Sequence, residues 1–411
     1  MDIDVMQYRN NTLLTRFVVP YGTVSIGAKA FENCVNLKEI SLPGSIRNID
    51  MKAFHNCVSL EKISYAGSRE DWEKVEISPV GTECLRSPDS AQNEQETLET
   101  AQSGVGDVYA NICALLHHPD GGFHIIPADL IVPGVYGKTG DMTLLLFPNG
   151  CTMLIDTGYR ANFPAVRTFL ERTRIRSLDY MVFSHADPDH VTNARAIGEY
   201  LYAHGGRIGS FLWTGQRYGQ TVEDFKIFLT KQNVPMDCSI LSGREFVIDG
   251  VTVSILSPDR EEIRLPAQDD SVRNNQSMVM KFTYGEASYL TAGDLYEVQE
   301  KKLTEKYGRK LKTSVLKTNH HGAYTSNSEE WIHATAPRFA FTENNDNGSS
   351  ALAQLLQKNA IQYASTGWQG TMLISMYRDG CLKICSEYPL GERNLQRIAL
   401  RPGLLICGSS G

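Results

Sequence analysis

The sequence has no apolar run of about 18 residues, the length that a membrane-spanning helix needs, and no cysteine pair with the spacing of a zinc or redox motif. Its first residues, "MDIDVMQYRN", are acidic where a signal peptide is basic, so we expect no export signal. The nine cysteines are scattered along the chain and predict reduced, packed thiols. These absences favour the cytoplasm, with exposure on the cell surface as the alternative.

A strongly basic surface is also lacking. The formal net charge is -7 and the sequence pI is near 5.8, which argues against a broad binding surface for nucleic acid or an anionic membrane. Hydrophobic residues make up 42% and charged residues 21% of the chain, a balance that predicts that most of it folds. Because 411 residues exceed one typical core, we expect two folded domains.

An internal repeat is found near the N-terminus when the sequence is compared with itself at a shift of 23 residues. "VVPYGTVSIGAKAFENCVNLKEI" from Val18 lies over "SLPGSIRNIDMKAFHNCVSLEKI" from Ser41. One such unit is too small to bury its own apolar face, so the matches predict short strands in stacked units. Cys34 and Cys57 would then lie one above the other inside the stack.

The repeat resembles the BspA-type leucine-rich repeat, whose pattern includes "IP..V..IG..AF..C..L..I". The resemblance covers about residues 1–75 and implies a short solenoid over 1–78, with a protein partner as its expected ligand. A stretch rich in Ser, Gln and Glu follows at 87–107, and we predict a linker over 79–120, flexible or in part helical.

From residue 121 the pattern changes to strands alternating with amphipathic helices. We expect one α/β domain over 121–390 and a C-terminal tail over 391–411. Apolar runs on both sides of Asn149-Gly150 and of Asp249-Gly250 predict β-hairpins. Several hairpins mixed with helices favour two sheets with helices outside over a doubly wound parallel sheet.

Three segments place metal-type side chains directly after an apolar strand: "YMVFSHADPDHVTN", "SYLTAGD" and "KTNHHG". They contribute His185, Asp187, Asp189 and His190, then Asp294, then His320 and His321. Imidazoles and carboxylates at strand ends form a ligand set that suits zinc, manganese or iron. A helix cap or a polar turn is the plainer interpretation of each segment alone. The three segments together favour a metal site.

With "LIDTG" added, these motifs resemble the metallo-β-lactamase fold in their order and spacing. They are most similar to the hydrolase domain of ComEC-type competence proteins, which have "HxDxDH" in place of the commoner "HxHxDH". "YGKTGD" at 136–141 and "NNQSMVMKF" at 274–282 resemble two further motifs of that branch. The teichoic-acid phosphorylcholine esterases carry a similar "GD...NHH" arrangement. The resemblance covers about residues 121–388 and implies an αββα sandwich.

The same resemblance implies a centre of two divalent metal ions. Its implied ligands are His185, Asp187, Asp189, His190, Asp294 and His321. His185 and Asp187 would hold one ion, Asp189 and His190 the other, and Asp294 would bridge the two. Zinc is the expected metal, and manganese is the alternative.

Residues beside the implied ligands also receive roles from the resemblance. Of the paired histidines, His321 is expected to bind metal and His320 to contact the substrate. Proton transfer would fall to His320 or to Asp189. Asp156 would orient the histidine loop from behind without touching metal, and its alternative is a plain aspartate at the end of a hairpin.

Two departures from the family pattern predict that one ion is held weakly. The wider fold has another histidine ligand, and the corresponding part of this chain offers only His204, for which we expect a capping or surface role. ComEC-type domains carry a "GHPS"-like segment where this chain has "TENNDNGSS" at 342–350, so Asn345 or Asp346 would have to replace the missing group. Surface or structural roles are expected for the remaining histidines, His55, His117, His118, His124 and His333.

The predicted chemistry is hydrolysis. A water shared by two divalent cations becomes a hydroxide nucleophile near neutral pH, and it can attack phosphorus or a carbonyl carbon. Asp187 in place of a histidine makes the site harder and more anionic, which favours phosphate oxygens over a lactam carbonyl. The hypothesis is therefore a binuclear metal-dependent hydrolase of a phosphodiester or related phosphate ester, in a small molecule or a polymer.

Two other functions stay open. The chain could be a leucine-rich-repeat interaction module beside a degenerate metallo-β-lactamase scaffold, or a hydrolase of lactones or lactams. Action on nucleic acid is also left open, although the acidic balance of the chain gives no obvious groove for a strand.

Overall fold

The computed structural model describes residues 7–12, 14–19, 23–60, 62–65, 69–78, 80, 102–105, 107–132, 140–216, 219–265, 269–344 and 349–388. Contacts within the chain divide it into two units. The repeat unit comprises residues 1–98 together with 109–119, and the sandwich unit comprises 99–108 together with 120–411. Among the described helices, none is both long enough and apolar enough to cross a membrane.

Short parallel strands form the repeat unit. Their bounds are Arg16–Val18 (β1), Ser25–Ile26 (β2), Glu39–Leu42 (β3), Asn48–Ile49 (β4), Lys62–Tyr65 (β5) and Glu76–Ile77 (β6), and a one-turn helix spans Arg69–Trp72 (α1). β1, β3 and β5 form one three-stranded sheet, and β2, β4 and β6 form another. Consecutive repeats therefore add one strand to each sheet, which confirms the stacked solenoid.

Identical side chains stack between neighbouring repeats. The rings of Phe31 and Phe54 lie nearly parallel, 5° apart, with their centroids at 5.1 Å. Cys34 and Cys57 are buried, and each thiol donates to a carbonyl oxygen of the repeat before it, at 3.1 Å and 3.2 Å. The predicted cysteine ladder is thus present as a pair of small buried groups.

Sixteen strands, β7 to β22, belong to the sandwich unit. Their bounds are Gln102–Val105 (β7), Phe123–Pro127 (β8), Thr143–Leu146 (β9), Thr152–Ile155 (β10), Leu178–Val182 (β11), Ile208–Leu212 (β12), Met236–Asp237 (β13), Glu245–Ile248 (β14), Val251–Ser257 (β15), Val279–Tyr284 (β16), Ala287–Thr291 (β17), Val315–Lys317 (β18), Phe339–Thr342 (β19), Gln362–Ser365 (β20), Met372–Met376 (β21) and Leu382–Ser386 (β22). One sheet has nine strands in the order β13-β12-β11-β10-β9-β8-β21-β22-β7. The other has seven strands in simple sequence order, from β14 to β20.

Helices connect many of these strands. The α-helices described in the sandwich unit are Phe163–Thr173 (α3), Pro188–Val191 (α4), Ala194–Ala203 (α5), Gln220–Lys231 (α6), Asp270–Asn275 (α7), Glu297–Tyr307 (α8), Glu329–Thr335 (α9), Ser350–Lys358 (α10) and Thr366–Gln369 (α11). A further helix, Val108–His117 (α2), belongs to the repeat unit except for its first residue. Short 3-10 helices span Arg160–Asn162, Glu262–Arg264, Gly308–Leu311 and Asn319–Gly322.

The two large sheets face each other across an apolar core. Phe123 of the nine-stranded sheet stacks on Phe282 of the seven-stranded sheet, with ring centroids 5.6 Å apart. Side chains alternate along each strand, so Tyr289 points into this core while Leu290 belongs to a second cluster with Leu303 of α8. Helices therefore cover the outer face, and the fold is the predicted αββα sandwich.

The predicted hairpin turns are confirmed. β9 and β10 pair antiparallel around Asn149-Gly150, and β14 and β15 pair antiparallel around Asp249-Gly250. Asp249 and Gly250 both have positive φ, +49° and +79°, as a two-residue type I′ turn requires. Asp and Gly adopt that conformation more readily than other residues, which is why this sequence forms a tight hairpin.

Regular structure occupies part of the segment for which a linker was predicted. β7 pairs in parallel with β22 at the edge of the nine-stranded sheet, and α2 buries Val108, Ile112 and Leu115. The strand forms because β22 offers unpaired backbone groups, a long-range cause that the polar local sequence does not reveal. The strand at 102–105 was not predicted, whereas the helix agrees with a linker that is in part helical. Residues 81–100 and the predicted tail over 391–411 lie outside the described residues.

Candidate metal centre

The metal-type side chains lie at one edge of the sandwich, where several strands end. β10 and β11 are parallel neighbours in the nine-stranded sheet, and β17, β18 and β19 are parallel neighbours in the seven-stranded sheet. Parallel strands end at the same edge of their sheet, so the segments after them converge. The Met278 backbone N–H donates to the Ser184 carbonyl oxygen at 2.7 Å and joins the two sheets beside the site.

The loop after β11 is organised by a proline. Pro188 opens α4 directly after Asp187, and its fixed φ suits the first helical position. Asp187 occupies the N-cap position, yet its side chain makes no capping hydrogen bond. The carboxylate of Asp187 therefore does not cap this helix.

Four side chains form the tightest group, which we call the Asp189 cluster: Asp189, His190, Asp294 and His321. Their ligand atoms lie within 4.8 Å of one another, and all four residues are buried. Asp294 Oδ2 lies 3.3 Å from Nε2 of His190 and 3.3 Å from Nε2 of His321. Ligands about 2.1 Å from a tetrahedral ion lie about 3.4 Å from each other, so this spacing suits one cation.

A looser group, the His185 cluster, consists of His185, Asp187 and the same Asp294. His185 Nε2 lies 4.0 Å from Asp187 Oδ2 and 3.9 Å from Asp294 Oδ2. Asp294 Oδ2 therefore stands between the two clusters, where a bridging ligand would be. The second oxygen of Asp187, Oδ1, accepts a hydrogen bond from Arg273 Nε at 2.8 Å.

Each of the three central imidazoles is fixed through its Nδ1 atom. His185 contacts Ser184 Oγ at 3.0 Å, and His190 contacts Asp156 Oδ2 at 2.8 Å. His321 contacts the Glu343 carbonyl oxygen at 3.0 Å and forms an ion-pair contact with Asp141 Oδ1 at 2.9 Å. The opposite atoms, Nε2 of all three, are buried and make no hydrogen bond to the described residues, and the same is true of Asp294 Oδ1. Buried polar atoms are rarely left in this state without a function, and Nε2 of an oriented imidazole is a typical metal ligand. The residues present therefore fit a bound cation.

Asp156 lies behind the histidine loop. Its carboxylate accepts the Ser184 backbone N–H at 2.7 Å and the Ser184 hydroxyl at 2.6 Å, in addition to contacting His190. Asp156 is 1% exposed and adopts a left-handed backbone with φ +60°. These contacts fix the ring of His190, the geometry expected of a residue that orients a ligand from behind.

The electrostatic field at the Asp189 cluster favours positive charge. Burial disfavours the charged form of His190, but Asp294, Asp156 and Asp141 outweigh it and raise the pKa of His190 well above its usual value. Asp294 and Asp141 do the same to the pKa of His321 against the effect of burial. A divalent cation provides the same compensation once these imidazoles bind it in their neutral form.

The His185 cluster has a different charge environment. Burial, and after it the charge of His190, lowers the pKa of His185 to about 3, so its imidazole is neutral and ready to bind metal. Burial also raises the pKa of Asp187, while the Arg273 guanidinium acts in the opposite direction. Arg273 thus neutralises a carboxylate of the implied ligand set.

The paired histidines lie on a strained turn. His320 and His321 have φ +50° and +53°, a left-handed conformation that is costly for two consecutive non-glycine residues. His320 Nδ1 lies 2.7 Å from Thr325 Oγ1, its ring stacks on Tyr296 at 4.9 Å, and its Nε2 is 3.9 Å from Asp294 Oδ2. His321 reaches into the Asp189 cluster, whereas His320 stands at its edge.

A buried carboxylate outside the site holds this turn. Glu300 of α8 accepts hydrogen bonds from Asn319 Nδ2 at 2.7 Å and from the Asn327 backbone N–H at 2.6 Å. Its other oxygen accepts the backbone N–H and the hydroxyl of Ser328, both at 2.9 Å. Glu300 therefore anchors both ends of the segment that carries the paired histidines.

Two glycines allow the close approaches on which the site depends. Gly140 has φ +74°, and a Cβ there would lie 1.7 Å from the Asp189 carbonyl oxygen. Gly293 has φ +54°, and a Cβ there would lie 2.8 Å from Ser277 Oγ. Each is followed by a buried aspartate of the site, Asp141 or Asp294, so both Gly-Asp pairs have the same physical requirement.

The structure brings the sequence-predicted site residues together, as described above, and adds Asp141 and three further charged residues that were not predicted. Arg273 contacts Asp187, and Lys317 forms a buried ion pair with Asp141. Glu343 is the last of these charged residues. Its burial, and after that the charge of Asp141, raises the pKa of Glu343 to about 8. A lysine at the end of an apolar strand, as in "SVLKTNHHG", was the one available signal in the sequence.

The other histidines lie elsewhere. His204 ends α5, with its Nδ1 2.7 Å from the Tyr200 carbonyl oxygen, which is the capping role expected of it. Exposed positions are occupied by His55, His117, His118 and His333. His124 is buried against Asp120 and Ser375. Asn345 and Asp346 lie outside the described residues.

Comparison with known proteins finds a separate match in each of the two units, the repeat unit and the sandwich unit. Residues 2–74 match the BspA type leucine-rich repeat region, and residues 137–210 match the metallo-beta-lactamase superfamily. The chain is 27% identical over 211 residues to ComE operon protein 3 of Bacillus subtilis, covering 50% of this chain and 25% of that protein. It is 26% identical over 242 residues to the competence protein ComA of Neisseria gonorrhoeae, covering 57% of this chain and 30% of that protein.

Among solved structures, the metallo-beta-lactamase fold protein YhfI from Bacillus subtilis aligns over 62% of this chain and 99% of its own, with 10% identity and a TM-score of 0.44. The chain spans between a quarter and a third of the length of its two curated relatives. From its strand order and the family-model match, the sandwich unit has the metallo-β-lactamase fold. It is similar to part of the ComEC-type competence proteins, and the chain also contains a region that matches the BspA-type leucine-rich repeat.

Proposed function

We propose that the sandwich unit is a binuclear metal-dependent hydrolase that cleaves a phosphodiester or a related phosphate ester. The observation that carries the proposal is the Asp189 cluster, whose four buried ligand atoms lie within 4.8 Å of one another. The His185 cluster supplies a second position and shares Asp294 with the first. Zinc is the expected metal at both positions, with manganese as the alternative.

Bound divalent cations would supply activation of water at neutral pH and neutralise charge on the oxygens of the substrate. The chain itself supplies the positioning of these ions. Asp156 and Asp141 fix the rings of His190 and His321 through Nδ1, so that each Nε2 faces Asp294. The buried surroundings keep bulk water away from these charges and strengthen every electrostatic interaction in the site.

His320 is the better placed of the two groups considered for proton transfer. Its side chain is 14% exposed, whereas that of Asp189 is 5% exposed and lies within the Asp189 cluster. A group that gives a proton to a leaving alkoxide has to reach the substrate, which favours the more accessible residue. Thr325 and Tyr296 fix the His320 ring at this edge.

The donor set supports phosphate as the substrate class. Asp187, Asp189 and Asp294 bring three carboxylates to the two clusters, and hard oxygen donors suit cations that bind phosphate oxygens. The similarity to competence proteins points to the same class by analogy of fold. A lactone or lactam carbonyl remains the competing substrate.

The test is hydrolysis of three probes by metal-free protein after addition of Zn²⁺ or Mn²⁺: bis-p-nitrophenyl phosphate, a lactone and a nitrocefin-like lactam. We expect metal-dependent cleavage of the phosphodiester, reduced at least about a hundredfold in Asp294→Asn and His185→Ala because each loses a ligand. His333→Ala, which changes an exposed histidine of α9, is the matched control. Circular dichroism verifies that the variants fold.

The three probes and elemental analysis separate the competing functions. Cleavage of the lactone or lactam alone would replace the proposed substrate class. Full metal-dependent activity in both ligand variants would show that the site lies elsewhere. If the protein binds no cation under metal-replete conditions, the remaining function is interaction with a protein partner through the leucine-rich repeats.

A further inference from the structure

We propose that Arg273 makes the two cation positions unequal: the Asp189 cluster binds its ion first, and the His185 cluster binds an ion only when Arg273 leaves Asp187. This inference rests on the proposed metal centre but not on the identity of the substrate. It assigns to Arg273 the control of metal occupancy, a role that does not involve the chemistry of the substrate.

The guanidinium occupies one oxygen of an implied ligand. Arg273 Nε donates to Asp187 Oδ1 at 2.8 Å, while Asp187 Oδ2 faces His185 Nε2 at 4.0 Å. A second carboxylate, Asp270, also contacts the Arg273 guanidinium. The two acidic contacts hold Arg273 beside the His185 cluster, and its side chain is 27% exposed.

The backbone presents Arg273 to the site in a defined way. α7 begins after Asp269, whose side chain accepts the Val272 backbone N–H at 3.0 Å and caps the helix. Asn275 Oδ1 accepts the Tyr296 backbone N–H at 3.1 Å and ties the end of the helix to the segment after Asp294. Arg273 therefore projects from a short helix that is anchored on both sides.

The guanidinium of Arg273 differs in chemistry from the imidazoles that contact Asp294. Asp294 lies within 4.0 Å of four imidazoles, those of His185, His190, His320 and His321, and an imidazole is itself a metal ligand. Arginine has no acceptor atom and stays protonated in proteins, so it cannot join the ligand set. Lys317, the buried ammonium near the Asp189 cluster, pairs with Asp141 and not with one of the four side chains of that cluster. An ion at the His185 cluster, in contrast, has to compete with Arg273 for the implied ligand Asp187 itself.

The experiment is a titration of the metal-free full chain with Mn²⁺, in which free ion is measured by electron paramagnetic resonance and bound ion by elemental analysis after dialysis. We expect one tightly bound ion and a second bound at least about tenfold more weakly, the scale of one hydrogen bond to a charged group. Arg273→Ala and Arg273→Gln should strengthen the second binding by about tenfold and leave the first unchanged. Arg273→Gln retains most of the side-chain stem and covers the case in which the alanine variant does not fold.

Two control variants separate this inference from the proposed centre. Arg264→Ala removes an exposed guanidinium that pairs with Glu261, and it should change neither affinity. Asp294→Asn should weaken both, because Asp294 belongs to both clusters. Equal affinity for two ions in the unmodified protein, or an unchanged second affinity in both Arg273 variants, would overturn the role of Arg273 alone. Absence of any bound ion would overturn the metal centre as well, and failure of phosphodiester cleavage with intact binding would overturn only the substrate.

Discussion

The polar side chains along the repeats and those at the metal-type edge of the sandwich unit are paired in different ways. In the repeats, polar contacts are repeated and closed: Asn33 Nδ2 donates to Asn10 Oδ1 at 2.8 Å, and Asn56 Nδ2 donates to Asn33 Oδ1 at 3.0 Å. At the edge of the sandwich, His185, His190 and Asp294 are buried with ligand atoms that make no hydrogen bond to the described residues. A closed network stabilises a shape, whereas an open one leaves groups that a ligand can complete.

This difference assigns separate roles to the two units. In the repeats, buried stacked rings such as those of Phe31 and Phe54 hold the units together, so apolar packing determines the shape of the repeat surface. The charged edge of the sandwich costs stability, because its buried carboxylates and imidazoles have lost their hydration. Three predictions test whether stability and catalysis are in fact divided in this way.

The largest expected effect on stability comes from the core of the repeats. Phe54→Ala removes a side chain that is 2% exposed, and it should lower the free energy of unfolding of the repeat unit by about 3–5 kcal/mol. Hydrolysis by the sandwich unit should not change. Chemical denaturation followed by circular dichroism measures the first quantity, and cleavage of bis-p-nitrophenyl phosphate measures the second.

Val58→Ala is the control for this prediction, because Val58 is apolar but 75% exposed in the same repeat unit. It should change the free energy of unfolding by less than about 0.5 kcal/mol. A parallel loss of hydrolysis in Phe54→Ala would contradict the division of roles and make the repeats part of the catalytic machinery.

The next effect concerns Glu300, which lies outside the site and holds the turn of the paired histidines. The four hydrogen bonds of Glu300 described above all come from donors, so Glu300→Gln would place an amide NH₂ against N–H or O–H groups. We expect a loss of about 2–3 kcal/mol in unfolding free energy and about 10–100-fold weaker metal binding. Titration with Mn²⁺ and denaturation measure these changes.

Glu297→Gln, on the exposed side of the same helix, is the matched control and should change neither quantity. A purely structural role of Glu300 would lower stability and leave metal affinity unchanged. That outcome would mean that the left-handed turn at His320 and His321 keeps its geometry without Glu300.

Much of the site could be predicted from the sequence because its ligands follow strand ends in short motifs. His185, Asp294 and His321 each come directly after an apolar run, and the strand pattern was sufficient to place them at sheet edges. The repeat was equally accessible, since an identical spacing of apolar residues has one physical cause.

The remaining features depend on distant contacts that no local pattern contains. Arg273 meets Asp187 across 86 positions of the chain, and Glu343 meets Thr143 across 200. β7 became a strand because the edge of β22 was available, although "QSGV" has little strand character. Such pairings are decided by tertiary packing, which spacing along the sequence does not show.

The buried carboxylate of Asp120 sharpens the comparison. It lies in the sandwich unit, but its oxygens have hydrogen-bond partners, so it belongs to a closed network. Asp120 Oδ1 accepts the Gly122 backbone N–H at 2.7 Å and lies 2.9 Å from His124 Nε2, and its Oδ2 accepts the Tyr377 hydroxyl at 2.8 Å. Nδ1 of the same histidine lies 2.9 Å from Ser375 Oγ. The distinction between open and closed networks therefore holds within one unit.

The smallest predicted effect follows from this closed network and depends on pH. Burial alone would raise the pKa of Asp120, but the hydrogen bond and charge of His124, with Gly122 and Tyr377, lower it from 3.8 to about 2. A carboxylate with a lowered folded-state pKa stabilises the fold above its unfolded value, and this contribution is lost as pH falls from about 4 to about 2. Asp120→Asn should therefore cost about 2 kcal/mol at neutral pH and flatten the pH dependence of stability over that window, as measured by urea denaturation at several pH values. Asp224→Asn, at an exposed position of α6, should leave the curve unchanged, and an Asp120→Asn variant that keeps the full decline below pH 4 would place the acid-sensitive group elsewhere.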